Sequence, residues 1–142
     1  MLPLMARQGF KVGIAQPAVV IGDKAANVAA LRAAVAEAGR SRCDAVVLPE
    51  CGLAGWLSPL ARTAAEPIPG PFTRSLCALA RKFGMSIAAG LEERADGRIY
   101  NSAVLIDRTG RIRPITASST SCRWAWRSTG AAIGWGWRRS TA

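Results

Sequence analysis

Apolar positions change their period along this chain, and each change marks an element. Phe10-Lys11-Val12-Gly13-Ile14-Ala15 is short and mostly apolar, and predicts a first strand. Asp23 is placed to cap a helix in which Val28, Leu31, Val35 and Ala38 recur at helical spacing, with Gly39 closing it in the left-handed conformation. Asp44-Ala45-Val46-Val47-Leu48 reads as a strand buried on both faces. Strand, helix and strand in this order make a βαβ unit with parallel pairing.

Residues 50–71 read as a long connection rich in Gly and Pro, and connections of that length are more often functional than idle. Thr73 opens a second helix whose Leu76, Leu79, Ala80 and Phe83 share a face, and Gly84 ends it. Ser86-Ile87-Ala88-Ala89-Gly90-Leu91 predicts a third strand, Asp96-Gly97 a tight turn, and residues 100–107 a fourth strand. Thr109-Gly110 turns into a short fifth at Arg111-Ile112-Arg113. The fold class is α/β, with a sheet that starts parallel and ends in hairpins. Helices cover one face, and the other face is also apolar and needs a cover.

The 142 residues suggest one domain, and half of them are apolar, enough for a core. No apolar run is long enough to span a membrane, and residues 1–7 are too short for a signal peptide, so a cytoplasmic location is the expectation. Cys43, Cys51, Cys77 and Cys122 form no C-x-x-C pair and there is no histidine, so free thiols are expected and no metal or other cofactor is. The net charge of +10 is uneven: residues 108–142 hold 7 Arg, no acidic residue and four of the five tryptophans. The chain divides into residues 8–113, an α/β unit, and residues 114–142, an irregular basic tail. Arg interleaved with Trp would suit nucleic acid or an anionic membrane surface. The tail follows neither a helical nor a strand period, however, and neither partner is expected.

Leu48-Pro49-Glu50 is the most informative triplet. A carboxylate directly after a buried strand lies where α/β sheets place ligands and catalysis. Burial there would push its pKa up toward that of a general base. Taken alone, the spacing fits an ordinary acidic strand end better.

The wider pattern decides the matter. Residues 11–17, Lys-Val-Gly-Ile-Ala-Gln-Pro, are followed by Asn27 and by residues 44–50, Asp-Ala-Val-Val-Leu-Pro-Glu. Then come Glu66-Pro67-Ile68-Pro69-Gly70-Pro71, Gly90-Leu91-Glu92-Glu93-Arg94 and the run Tyr100 to Asp107. In this order the segments resemble the opening of nitrilase-superfamily carbon–nitrogen hydrolases, over roughly residues 10–113. The resemblance implies a partial αββα sandwich, a homo-oligomer formed through the helices, and hydrolysis of a small amide, carbamoyl compound or nitrile without a cofactor. It also implies a Cys–Glu–Lys triad: a thiol nucleophile, a glutamate that takes its proton, and a lysine that stabilises the oxyanion. Glu50 matches the glutamate. Glu93, Tyr100 and Asn101 match positions that support the site. Cys51 is not expected to be the nucleophile, because neighbours in an extended segment point to opposite sides, and because the family's cysteine comes from a later strand.

The resemblance stops after Thr109-Gly110. The family continues into a strand ending in Arg-Lys, whose lysine is catalytic, whereas this chain has no lysine after Lys82. Shifting the degenerate codons of Ile115–Ala142 by one base can yield His-Arg-Lys-Leu-Asn-Leu-Leu-Pro, with the Arg-Lys pair arising across Thr116-Ala117-Ser118. The tail therefore reads as a frameshifted continuation. The chain by itself is expected to be inactive and to leave one sheet face open. The alternative is a non-catalytic α/β interaction module with a basic tail.

Overall fold

The computed structural model describes residues 9–113 together with the backbone of residues 121–123 and 137–138. The expected irregularity of the tail otherwise lies outside the described residues. Strand β1 (Val12–Ile14) leads to helix α1 (Lys24–Arg40) and strand β2 (Ala45–Val47). The short helix α2 (Ala61–Ala64) and helix α3 (Pro71–Phe83) precede the hairpin of β3 (Ser86–Ala95) and β4 (Arg98–Ile106). Two-residue β5 (Ile112–Arg113) pairs with one end of β4. Near its other end β4 pairs with β6 (Ser121–Arg123), which in turn pairs with β7 (Trp137–Arg138). β1, β2 and β3 run parallel and the later pairings are antiparallel, as the sequence predicts.

The caps explain the helix limits. The Asp23 side chain accepts from Ala26 N at 2.9 Å and opens α1. Gly39 does not close it: the helix runs to Arg40, and Arg42 takes the left-handed turn instead, at φ 54°. Gly39 has a packing reason, since a Cβ there would lie 2.3 Å from the Phe83 ring of α3. α3 begins at Pro71, two residues before the expected Thr73, because proline's fixed φ suits a first helical position. Thr73 caps backward, its Oγ1 accepting from Gly70 N at 2.8 Å. Asp96 and Gly97, both at positive φ, make the tight turn between β3 and β4.

Sheet register separates the two faces. Gly13, Val46, Ile87, Ile106 and Ile112 form one row across the strands. Ile14, Val47, Ala88 and Leu105 form the next row, on the opposite face. Val46, Ile87 and Ile106 are at most 1 % exposed, under Leu31 and Val35 of α1 and Phe72, Leu76 and Ala80 of α3. Ile14 is 78 %, Val47 42 % and Leu105 43 % exposed. The expectation that β2 is buried on both faces is therefore corrected: among the described residues, nothing covers the Ile14, Val47 and Leu105 row of the second face. The sequence pattern is that of a doubly covered strand because both rows are apolar.

Candidate active site

Beyond β2 the chain keeps running beside β3. Leu48 N donates to Ala88 O at 2.8 Å, Gly90 N to Pro49 O at 3.2 Å, and Gly52 N to Gly90 O at 3.3 Å. Glu50 thus sits at the carboxyl end of the parallel strands, where the sequence puts it. Gly90 lies directly beneath it. A Cβ on Gly90 would be 2.4 Å from Glu50 Cα, so this approach requires glycine.

The Glu50 side chain lies on the uncovered face. Asn101 of β4 donates its Nδ2 proton to Glu50 Oε2 at 3.1 Å. The expected burial of Glu50 is not found, and it is exposed. Its face is the one without helices, and among the described residues nothing excludes water from it.

Of the expected supporting residues, the structure brings Asn101 alone to Glu50. Tyr100 precedes Asn101 in the same strand and so projects to the other face, where it is buried. Glu93, its cross-strand partner, also lies on that face and accepts from Ser102 Oγ at 2.5 Å. Cys51 is buried, at φ 50°, inside a turn. The segment there is not extended as the sequence suggests, yet Cys51 and Glu50 still face different surroundings. The lysines are engaged away from Glu50. Lys11 Nζ donates to Ser41 O at 2.6 Å, Lys24 pairs with Glu66 at 2.8 Å, and Lys82 lies over the Phe83 ring.

Three bracing residues were not legible as such. Buried Asn27 joins the loops after β1 and β2: its Oδ1 accepts from Val20 N, and its Nδ2 donates to Val20 O and Leu53 O, all within 3.0 Å. Glu66 is buried and accepts from Phe72 N at 2.6 Å while pairing with Lys24, which fixes the start of α3. Buried Glu92 accepts from Leu53 N and Ala54 N, both at 3.0 Å. The sequence assigns the supporting role to Glu93. The signal for Glu92 is the strand period: once Glu50 rests on Gly90, the next residue on the same face of β3 is 92, not 93.

Fold and site define a class of protein: a mixed α/β layer with its described helices on one face, and a braced carboxylate at the carboxyl edge of its parallel strands. The chain belongs to the carbon-nitrogen hydrolase family, whose pattern matches residues 11–127. It is 30% identical over 108 residues to a hydrolase of Schizosaccharomyces pombe, covering 74% of this chain and 33% of that protein. It is 30% identical over 118 residues to an aliphatic nitrilase of Rhodococcus rhodochrous, covering 72% of this chain and 32% of the nitrilase. The chain thus spans about a third of the length of the relatives it matches. A CN-hydrolase superfamily protein of Xanthomonas campestris superposes with a TM-score of 0.66 at 20% identity, over 81% of this chain and 40% of its own. An amidase of Nesterenkonia sp. does so with a TM-score of 0.63 at 16% identity, over 90% of this chain and 48% of its own. These two likenesses show the fold. No helix among the described residues is long and apolar enough to cross a membrane.

Proposed function

We propose that this chain carries the proton-accepting half of a hydrolase for non-peptide carbon–nitrogen bonds. Glu50 is the general base. It takes the proton of a cysteine thiol and passes it to the leaving nitrogen of a small amide, carbamoyl compound or nitrile. The nucleophile and the oxyanion lysine come from a part of the fold that packs on the open face. The observation that carries this reading is the placement of Glu50 at the carboxyl edge of the parallel strands, with its carboxylate held by Asn101 on that open face. The relatives' names support the same chemistry, and a mutant of the Nesterenkonia amidase shows Michael addition of acrylamide at its active-site cysteine.

The chain by itself is inactive in this reading, since the buried Cys51 and the engaged Lys11, Lys24 and Lys82 supply neither missing group. Sequencing the gene and assaying amide hydrolysis by this chain and by one continued in the alternative frame test the proposal. Activity in the continued form alone supports it. There, Glu50→Gln reduces kcat by roughly 10²–10⁴-fold, the usual worth of a positioned acid–base group. Full activity in Glu50→Gln, or an unbroken frame encoding the same tail, ends it.

A further inference from the structure

We propose that Glu92 is a positioning residue for Glu50, the anchor that holds the segment bearing it against the sheet; this rests on the reading of Glu50 as the base. Glu92 is 3 % exposed. A carboxylate that deep is strongly disfavoured unless its oxygens are hydrogen-bonded. Its two oxygens take one backbone N–H each, Oε2 from Leu53 and Oε1 from Ala54. The need is mutual, since Leu53 and Ala54 are fully buried and their amide protons also require acceptors.

The geometry links this pair of bonds to Glu50. Glu92 and Asn101 are direct partners in the β3–β4 register and share a face. Asn101 holds the Glu50 carboxylate from that face. The segment 49–54 is therefore fixed at three successive points: by Gly90 at Pro49 and Gly52, by Asn101 at the Glu50 side chain, and by Glu92 at Leu53 and Ala54. Asn27 adds a fourth hold on Leu53 O, from α1. Without Glu92, residues 53 and 54 lose their attachment to β3, and the backbone of the turn carrying Glu50 is tied to that strand by Gly90 alone. Glu93 offers no substitute, because its carboxylate is bound to Ser102 on the other face.

Two cysteines make this measurable. Cys51 lies inside the clipped segment and Cys77 lies in α3, and both are buried. The full chain and its Glu92→Gln variant are treated in dilute solution with iodoacetamide, and labelling at each cysteine is followed by peptide mass. The glutamine keeps one acceptor and turns a donor toward the second N–H. The expected result is labelling of Cys51 about 10- to 100-fold faster, the worth of a hydrogen bond to a charged group, with Cys77 unchanged. The Asn101 side-chain amide resonance is expected to move to where Glu50→Gln places it. Glu92→Asp, which keeps both acceptors on a shorter stem, restores part of the Cys51 protection. Equal acceleration at Cys51 and Cys77 would make Glu92 a general stability residue and overturn the proposal. So would an unchanged Cys51 rate, or an Asn101 resonance that stays in place while Cys51 opens. A Glu50 that is not the base shows up separately, as retained hydrolysis in Glu50→Gln of the chain continued in the alternative frame, and leaves these readouts as they are.

Discussion

Replacing Gly90 by alanine probes the contact on which the site rests. The added Cβ would stand 2.4 Å from Glu50 Cα, 2.9 Å from Pro49 O and 3.1 Å from Glu50 Cβ. Carbon atoms settle at about 3.5–4.0 Å, so the backbone of Glu50 has to retreat by about 1 Å. The atoms in the way are mostly backbone, and no rotamer change relieves them. Retreat stretches the Gly90 N–Pro49 O and Gly52 N–Gly90 O bonds, which at 3.2 and 3.3 Å are already long. Overpacking costs about 1–3 kcal/mol, and two lost neutral hydrogen bonds cost about 0.5–1.5 kcal/mol each, so about 2–6 kcal/mol is expected in all. That is a large part of the roughly 5–15 kcal/mol that holds a typical domain folded. Urea unfolding of the full chain in dilute solution, followed by circular dichroism, measures the loss. The Asn101 side-chain resonance reports whether Glu50 has moved. Gly97→Ala is the control: no atom lies within 4 Å of its Cβ, its φ is +68°, and it should cost about 1 kcal/mol without touching Asn101. A Gly90→Ala chain within about 0.5 kcal/mol of the parent, a margin set by ordinary surface substitutions, with Asn101 unmoved, would refute the close approach.

The open face makes a prediction of its own. Ile14→Lys with Leu105→Lys should reduce light scattering and dye binding by the chain with little change in its unfolding midpoint, whereas Val46→Lys, one residue away on the covered face, should abolish folding. Asp107 gives a pH test. Its carboxyl is held well below the usual range, chiefly by the Thr109 hydroxyl and also by Arg111 N–H and Arg113. A depressed carboxyl pKa stabilises the fold above the unfolded value of about 3.9, and that contribution fades as pH falls below it. Asp107→Asn should therefore lower the urea midpoint near neutral pH, with the gap to the parent closing as pH drops from about 4 toward 2. A gap that is constant with pH would contradict the assignment.

The order of elements was legible because the period changes are sharp: the helical spacing of Leu31 and Val35, and the apolar runs at Val46 and Ile87. Exposure was less so. Val46 and Val47 are the same residue type in one strand, and only the register against β1 and β3 shows that one is covered and the other bare. A glycine near a helix end suggests a cap, but Gly39 answers to the Phe83 ring, which is far away in sequence. At the site, Glu50 was visible through the order of motifs and through Pro49. Of the three residues read as support, Asn101 reaches Glu50 while Glu93 and Tyr100 lie on the other face, and Glu92 carries no local signal in the sequence. Choosing between residues 92 and 93 needs the phase of β3 relative to Glu50, which the Gly90 contact sets and no local signal carries.

The braces around Glu50 all come from residues 20–101, so where the acid sits does not depend on the sheet's missing cover. Dryness does depend on it. Location and polarity at this carboxylate are thus written in different stretches of polypeptide. Aim is set by this stretch on its own, while shelter from water has to come from whatever packs over the open face.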